Sequence, residues 1–126
     1  MRTFDNIHGK EVGGKAPRSG YPDTGNGRYS MNWNYAQWFE FNNWQRVQYN
    51  FLEQLTPILV WVLIGALYQP LASAILGFVY FIGRIFYSIG YCKSPAQRVV
   101  GAIICDLAYL GSFVLSIVTI GMWLKY

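Results

Sequence analysis

The sequence predicts an all-α integral membrane protein, a helical bundle with three transmembrane helices preceded by an irregular, polar N-terminal arm. Three observations predict this. The 126 residues are 53% hydrophobic and only 13% charged, with a mean hydropathy of +0.20, whereas about a quarter of an average soluble domain is charged. The charges are segregated: eleven of the sixteen lie in residues 1–53, leaving Arg84, Lys93, Arg98, Asp106 and Lys125 for the remainder. From Gln54 to Gly83, thirty consecutive residues carry no charge. Together these exclude an ordinary soluble globule and a disordered chain.

The chain therefore reads as a polar arm, residues 1–35, and a three-span transmembrane domain, residues 36–126. Residues 1–30 contain six glycines with Pro17 and Pro22, a composition that opposes a long helix and favours an irregular arm. From Asn34 to Leu55 the chain turns aromatic and amphipathic, with Trp33, Tyr35, Trp38, Phe39, Phe41, Trp44 and Tyr49 in or beside it. Trp and Tyr concentrate at membrane–water interfaces, so this segment reads as the extension of a helix entering a bilayer. The charge-free run would be about 45 Å long as one helix, more than the hydrocarbon core requires, and Gln69-Pro70 supplies the break. The spans fall at about 50–68 (extending back towards 36), 71–91 and 98–124. Short connections make neighbouring helices antiparallel.

The composition also excludes functions. The ten Lys and Arg are scattered singly, so the footprint of a nucleic-acid binder is missing. Cys92 and Cys105 build neither a disulfide framework nor a CxxC pair, and the single histidine, His8, has no partners for a triad or a metal cluster. The N-terminus has no apolar h-region of a signal peptide, and Asp5 and Glu11 interrupt a mitochondrial presequence. Lys10, Lys15, Arg18, Arg28, Lys93 and Arg98 gather on one side of a three-span bundle, against Lys125 on the other. The positive-inside rule makes the arm side cytosolic, or matrix in a mitochondrion.

Polar residues inside spans are expensive and default to functional candidates. Arg46, Asn50, Glu53 and Pro57 recur at i, i+4, i+7 and i+11 on the first span, and Tyr80, Arg84, Tyr87 and Tyr91 repeat that spacing on the second. Each set is one stripe on one helical face. With Arg98 opening the third span, antiparallel packing gathers three arginines, a glutamate, an asparagine and tyrosine hydroxyls at the positive end. Such a set suits an anionic ligand bearing carboxylates, which arginine binds bidentately, and Glu53 suits a ligand amine. Internal pairing is the alternative: Arg46 with Glu53, and Arg84 with Asp106, which lie at similar depth, about 10–12 Å from that end. Tyr68, Tyr80, Tyr109 and Tyr126 read as packing or interface residues.

Arg46-Val47-Gln48-Tyr49-Asn50-Phe51-Leu52-Glu53, preceded by Phe41-Asn42-Asn43, resembles the RxxxNxxE signature of the membrane-associated eicosanoid and glutathione metabolism (MAPEG) proteins, and its microsomal glutathione S-transferase branch, type-three-like, in particular. Gly83-Arg84-Ile85-Phe86-Tyr87-Ser88-Ile89-Gly90-Tyr91, followed by Arg98, is similar to that family's second signature, and Gly14-Lys15-Ala16 with Tyr21-Pro22 resembles its basic cytosolic loop. The resemblance implies a four-helix protomer, a homotrimer, and glutathione bound between subunits near the cytosolic leaflet. By motif, Arg46, Asn50, Glu53, Arg84, Tyr87 and Tyr91 would contact glutathione, with Gln48 at a further polar position, and Arg98 would be catalytic, stabilising the thiolate.

Two functions follow. One is a glutathione transferase or peroxidase acting on lipophilic electrophiles or lipid hydroperoxides, in the endoplasmic reticulum or another endomembrane by resemblance. The other is a non-catalytic accessory subunit among unrelated subunits of a larger membrane complex, for example a respiratory complex of the mitochondrial inner membrane. The latter is suggested by residues 1–35, which hold no apolar run of even ten residues to match the family's first helix. Gln54 stands where leukotriene synthases carry tyrosine, which argues against that activity. A channel or transporter is the weakest reading, because a one-ended polar cluster gives no path across the bilayer.

Overall fold

A computed structural model describes residues 2–15, 23–28 and 30–125. The helices are α1 (Arg2–Glu11), α2 (Tyr35–Ala66), α3 (Pro70–Lys93) and α4 (Val99–Trp123), with single 3-10 turns at Ser30–Asn32 and Pro95–Arg98. The chain forms two compact units, Met1–Gln45 and Arg46–Tyr126, and α2 contributes to both.

In the first unit the arm is less irregular than expected, since α1 occupies ten of its residues. No proline falls within Arg2–Glu11, and the helix stops where Gly13 and Gly14 adopt φ of +83° and +85°, a conformation that favours glycine. Ala16, Pro17, Arg18, Gly20, Tyr21 and Pro22, which carried part of the loop resemblance, the charge asymmetry and the glycine–proline pattern, lie outside the described residues, as does Tyr126. The turn from Asp23 to Ser30 is organised by the Asp23 carboxylate, which accepts hydrogen bonds from the backbone N–H of Gly25 and of Ser30, each at 2.9 Å. The Trp38 indole N–H donates to the Gly25 carbonyl at 3.0 Å and holds the turn on the start of α2. Asn34 and Gln37 cap α2 reciprocally: Asn34 Oδ1 accepts from the Gln37 N–H at 2.9 Å, and Gln37 Oε1 from the Asn34 N–H at 3.3 Å. An exposed Arg28–Glu11 ion pair (3.2 Å) contributes little.

The second unit is the helical bundle. Three helical segments, Tyr35–Ala66, Pro70–Lys93 and Ala96–Trp123, are long and apolar enough to cross a membrane. Pro70 opens α3, where its missing N–H costs nothing. Between α3 and α4 the backbones nearly touch. A Cβ on Gly83 would sit 2.9 Å from the Cys105 backbone N, one on Gly90 2.5 Å from the Gln97 carbonyl, and one on Gly101 inside the Tyr87 backbone. The buried face of α4 is Gly101, Cys105, Ala108, Ser112, Ser116 and Thr119, all small, as helix pairs in lipid require when close packing rather than hydrophobicity drives association. The Ser112, Ser116 and Thr119 hydroxyls donate to carbonyls of their own helix at 2.7–2.8 Å, so their burial leaves no donor unsatisfied.

The seam of α2 with α3 is bridged by side chains instead. The Ser73 hydroxyl donates to the Val62 carbonyl at 2.5 Å and the Tyr80 hydroxyl to Gln54 Oε1 at 3.1 Å. Against α4, α2 presents Trp61, packed on Tyr109 and Phe113 with ring centroids 4.5 and 4.8 Å apart.

Two outcomes are expected. Gly101→Val forces the backbones of α3 and α4 apart and costs about 2–3 kcal/mol, at the upper end for overpacking. Gly121→Ala, where nothing lies within 4 Å, is neutral or stabilising by up to about 1 kcal/mol; thermal unfolding in detergent separates them. For the turn, burial pushes the Asp23 carboxyl up, but the hydrogen bonds from Ser30, Gly25 and Gly27 outweigh it and hold the pKa below its ordinary value. A lowered folded-state pKa stabilises fully above the unfolded value, about 3.9, and that contribution is lost as the pH falls through the folded value. Amide exchange at Gly25 and Ser30 should therefore accelerate below about pH 4, and an Asp23→Asn variant should show no such acid transition.

Candidate functional site

Arg84 organises the polar end of the bundle. It projects from α3 four residues after Tyr80 and is only 6% exposed. Its Nη1 donates to Asn50 Oδ1 at 2.6 Å and its Nη2 to the Val47 carbonyl at 3.0 Å, both on α2. The guanidinium lies between two rings, 4.7 Å from the Tyr87 centroid and 5.3 Å from that of Phe51, close enough for cation–π attraction. Its Nε is buried without a hydrogen-bond partner.

From Arg84 the contacts run outward along α3. The Tyr87 and Tyr91 rings are 5.7 Å apart, both residues are buried, and the Arg98 guanidinium lies over the Tyr91 ring at 5.1 Å. Close approach at Gly90 and Gly101 draws the Pro95–Arg98 turn against the end of α3, which brings Arg98 to Tyr91. Five of the seven candidates, Asn50, Arg84, Tyr87, Tyr91 and Arg98, thus form one connected row. Arg46 and Glu53 stand apart: both are exposed on α2, and among the described residues no hydrogen bond joins them to the row. Gln48 is exposed as well.

Two pairings expected from the sequence do not form. Arg84 takes Asn50 and Val47 rather than Asp106, which is exposed. The depth argument holds, but Asp106 follows buried Cys105 by one residue, about 100° around the helix, and so leaves the α3-facing side. Arg46 and Glu53 do not pair either, the one ion pair among the described residues being Arg28–Glu11. Tyr80 and Tyr109 pack as expected, although Tyr80 also binds Gln54. The sequence reading missed Phe51, the Val47 carbonyl and the Gln54–Tyr80 bond. Helical spacing contained a signal for the last, since Gln54 follows Asn50 by four and Tyr80 precedes Arg84 by four. A backbone carbonyl leaves no such trace.

Chemically, the row is a cation site without an anion. Arg84 is buried with dipolar partners only, and no carboxylate of the described residues lies within ion-pair distance of it. A buried charge is normally paired, so the arrangement favours an anionic ligand. No three His, Cys, Asp or Glu among the described residues come together to hold a metal.

The MAPEG family model matches residues 11–118, a stretch containing all seven candidates. An uncharacterized protein of Synechocystis sp. is 44% identical over 63 residues, 49% of this chain and 46% of that protein. The chain spans about half the length of this curated relative. No solved structure matches.

Replacing Asn50 by Leu strands Arg84 Nη1 in the bundle and should cost about 1.5–3 kcal/mol, the range for a hydrogen bond to a charged group. Arg84→Lys should cost a similar amount, because one ammonium cannot serve Asn50 and Val47 with a planar fork. The double variant Asn50→Leu/Arg84→Met should cost less than the sum of the two single changes, because it removes charge and acceptor together. Unfolding of the three proteins in one detergent measures the difference.

Proposed function

This chain belongs to the MAPEG family of membrane proteins, and on that premise we propose that it binds glutathione at the Arg84 end of the bundle and delivers the thiolate to lipophilic electrophiles or lipid hydroperoxides. The observation that carries this reading is the buried Arg84 guanidinium, held in a fixed orientation with its Nε–H unpartnered and, among the described residues, no carboxylate beside it. Glutathione supplies what the row lacks, two carboxylates for arginine forks, and an ammonium group that suits Glu53. In this reading Arg84 and Arg46 hold the carboxylates, Asn50 orients Arg84, and the Tyr87 and Tyr91 hydroxyls donate to the peptide.

Arg98 is the catalytic group. Its guanidinium is exposed and lies over the Tyr91 ring. A thiol beside a cation loses its proton more readily, which raises the nucleophile fraction at neutral pH. The thiolate sulfur then bonds to the electrophilic carbon while the leaving group departs with the bonding electrons. With a hydroperoxide, the thiolate attacks the terminal oxygen, the O–O bond breaks to release an alcohol, and a second glutathione reduces the resulting sulfenic acid to disulfide and water. A site opening at the leaflet boundary admits substrates already dissolved in the bilayer.

One observation favours a second reading, a non-catalytic subunit of a larger membrane complex: both terminal nitrogens of Arg84 are already committed to Asn50 and Val47, as a purely structural arginine would be.

Glutathione binding to the purified protein in nanodiscs, followed by conjugation of an aromatic halide, decides between them. The enzyme reading expects saturable binding and turnover. Arg98→Ala should retain binding within a few-fold but lose about 10–100-fold in rate at pH 7, as for a thiol pKa raised by about 1–2. The variant's rate should then climb with pH, because alkali restores the thiolate that the arginine supplied. Absence of glutathione binding, with stoichiometric co-purification of unrelated polypeptides, overturns it in favour of the second reading.

A further inference from the structure

Arg84 is seated by one turn of α2. The Val47 carbonyl and Asn50 Oδ1 accept from its Nη2 and Nη1. Phe51, the residue after Asn50, sets its ring against the guanidinium with the centroid 5.3 Å from Cζ. The Val47 carbonyl is also the group that accepts the Phe51 N–H in a regular helix. A carbonyl, an amide and a ring of one turn therefore meet one side chain of α3. Phe51 is half-buried, and its side chain has no polar atom.

The two kinds of contact do different things. Hydrogen bonds to Nη1 and Nη2 fix where the guanidinium sits, but a planar group held by its terminal nitrogens can still rock about the line joining them. Contact on its faces stops that motion. Two rings supply it, Phe51 and, with its centroid 4.7 Å away, Tyr87. They are not equivalent: the Tyr87 hydroxyl can bond to a ligand, whereas Phe51 can offer a ligand no hydrogen bond. What the rings hold in place is the Nε edge, buried and without a hydrogen-bond partner. Side-on binding of a carboxylate uses that edge, because the Nε–H and the terminal N–H beside it point the same way, and the fork forms only when the two planes align.

We propose that Phe51 is a positioning residue: acting through Arg84, its ring keeps the Nε edge aligned for one carboxylate of the ligand. The identity of the ligand rests on the glutathione reading, but the alignment is a property of the ligand-free protein. An aliphatic side chain of similar size fills the same space without the negative face of a ring, so it packs beside the cation without holding it.

Phe51→Leu and Phe51→Tyr, the second retaining the ring, test this against the parent protein in nanodiscs. Phe51→Leu should weaken glutathione binding by about 3–30-fold, the range that a cation–π contact spans, and Phe51→Tyr should bind within about twofold of the parent. The rate at saturating glutathione and its pH profile should stay parental in both, because in that reading Arg98 and not Arg84 acts on the thiol. A loss confined to the saturated rate, as fewer folded molecules would give, overturns the proposal. So does Phe51→Leu binding as tightly as the parent, or Phe51→Tyr weakened as much as Phe51→Leu. Nuclear magnetic resonance of the Arg84 side chain reads the alignment with no ligand present. Rotation about Nε–Cζ carries the terminal nitrogens past the rings, so it should be about 3–30-fold faster in Phe51→Leu and parental in Phe51→Tyr. Parental rotation in Phe51→Leu overturns the proposal even where glutathione binds. Faster rotation in a protein that binds no glutathione sinks the ligand reading alone, and the ring's hold on Arg84 stands.

Discussion

A single guanidinium buried between apolar helices constrains most of this bundle. Arg84 cannot be solvated where it lies, so its donors must find acceptors on the neighbouring helix, and that requirement fixes α2 against α3. Asn50 and the Val47 carbonyl meet Nη1 and Nη2, and one turn deeper the Tyr80 hydroxyl meets Gln54. Interhelical bonds at two levels one turn apart set both the rotation of α2 and its register. Sliding α2 by a residue would break both and leave a charged donor in hydrocarbon, a far larger penalty than lost packing between apolar surfaces.

The other seam obeys the opposite rule. α3 and α4 approach through Gly83, Gly90 and Gly101 until the backbones are in contact, and dispersion between closely fitted surfaces holds them. A helix pair this tight has no room for a ligand. The α2–α3 seam, spaced by arginine, tyrosine and asparagine side chains, is where polar groups can be presented. The division of labour follows from side-chain size: small residues make a close-packed hairpin of α3 and α4, and large polar residues line its α2 side. Arg98 links the two, since it opens α4 yet reaches Tyr91 because the glycine-lined turn at Pro95–Arg98 is pulled against α3.

Much of this was legible before the structure. Lipid demands about twenty apolar residues per crossing, so three spans and the break at Gln69-Pro70 were readable from hydropathy and charge alone. Antiparallel order then brought Asn50, Arg84, Tyr87, Tyr91 and Arg98 to one end. The Arg84–Asp106 pairing failed for one reason: spacing gives depth along a helix, but the partner across the seam also depends on azimuth. Arg84 and Asp106 share a level, yet Asp106 sits about 100° from Cys105 and points away. The helix at Arg2–Glu11 was obscured by averaging over a glycine-rich arm, when its glycines mostly follow the helix rather than interrupt it. The α2 start at Tyr35 was set by a reciprocal Asn34–Gln37 cap, a local signal beneath the scale of hydropathy.

Charge placement carries the remaining step. The row around Arg84 turns inward, while Arg46, Glu53 and Asp106 all emerge on the outside of the bundle within helices apolar enough to cross a membrane. Cations and acids are both represented there, and none is matched within the described residues of its own chain. Arg46 and Glu53 fall in the aromatic segment by which α2 enters the bilayer, where Trp and Tyr mark the interface, whereas Asp106 lies well inside α4. The burial of Arg84 and the exposure of Arg46 and Glu53 are thus two placements of charge along the same pair of helices: the first is held by Asn50, the Val47 carbonyl and the flanking rings, and the second stands on the outer face of α2.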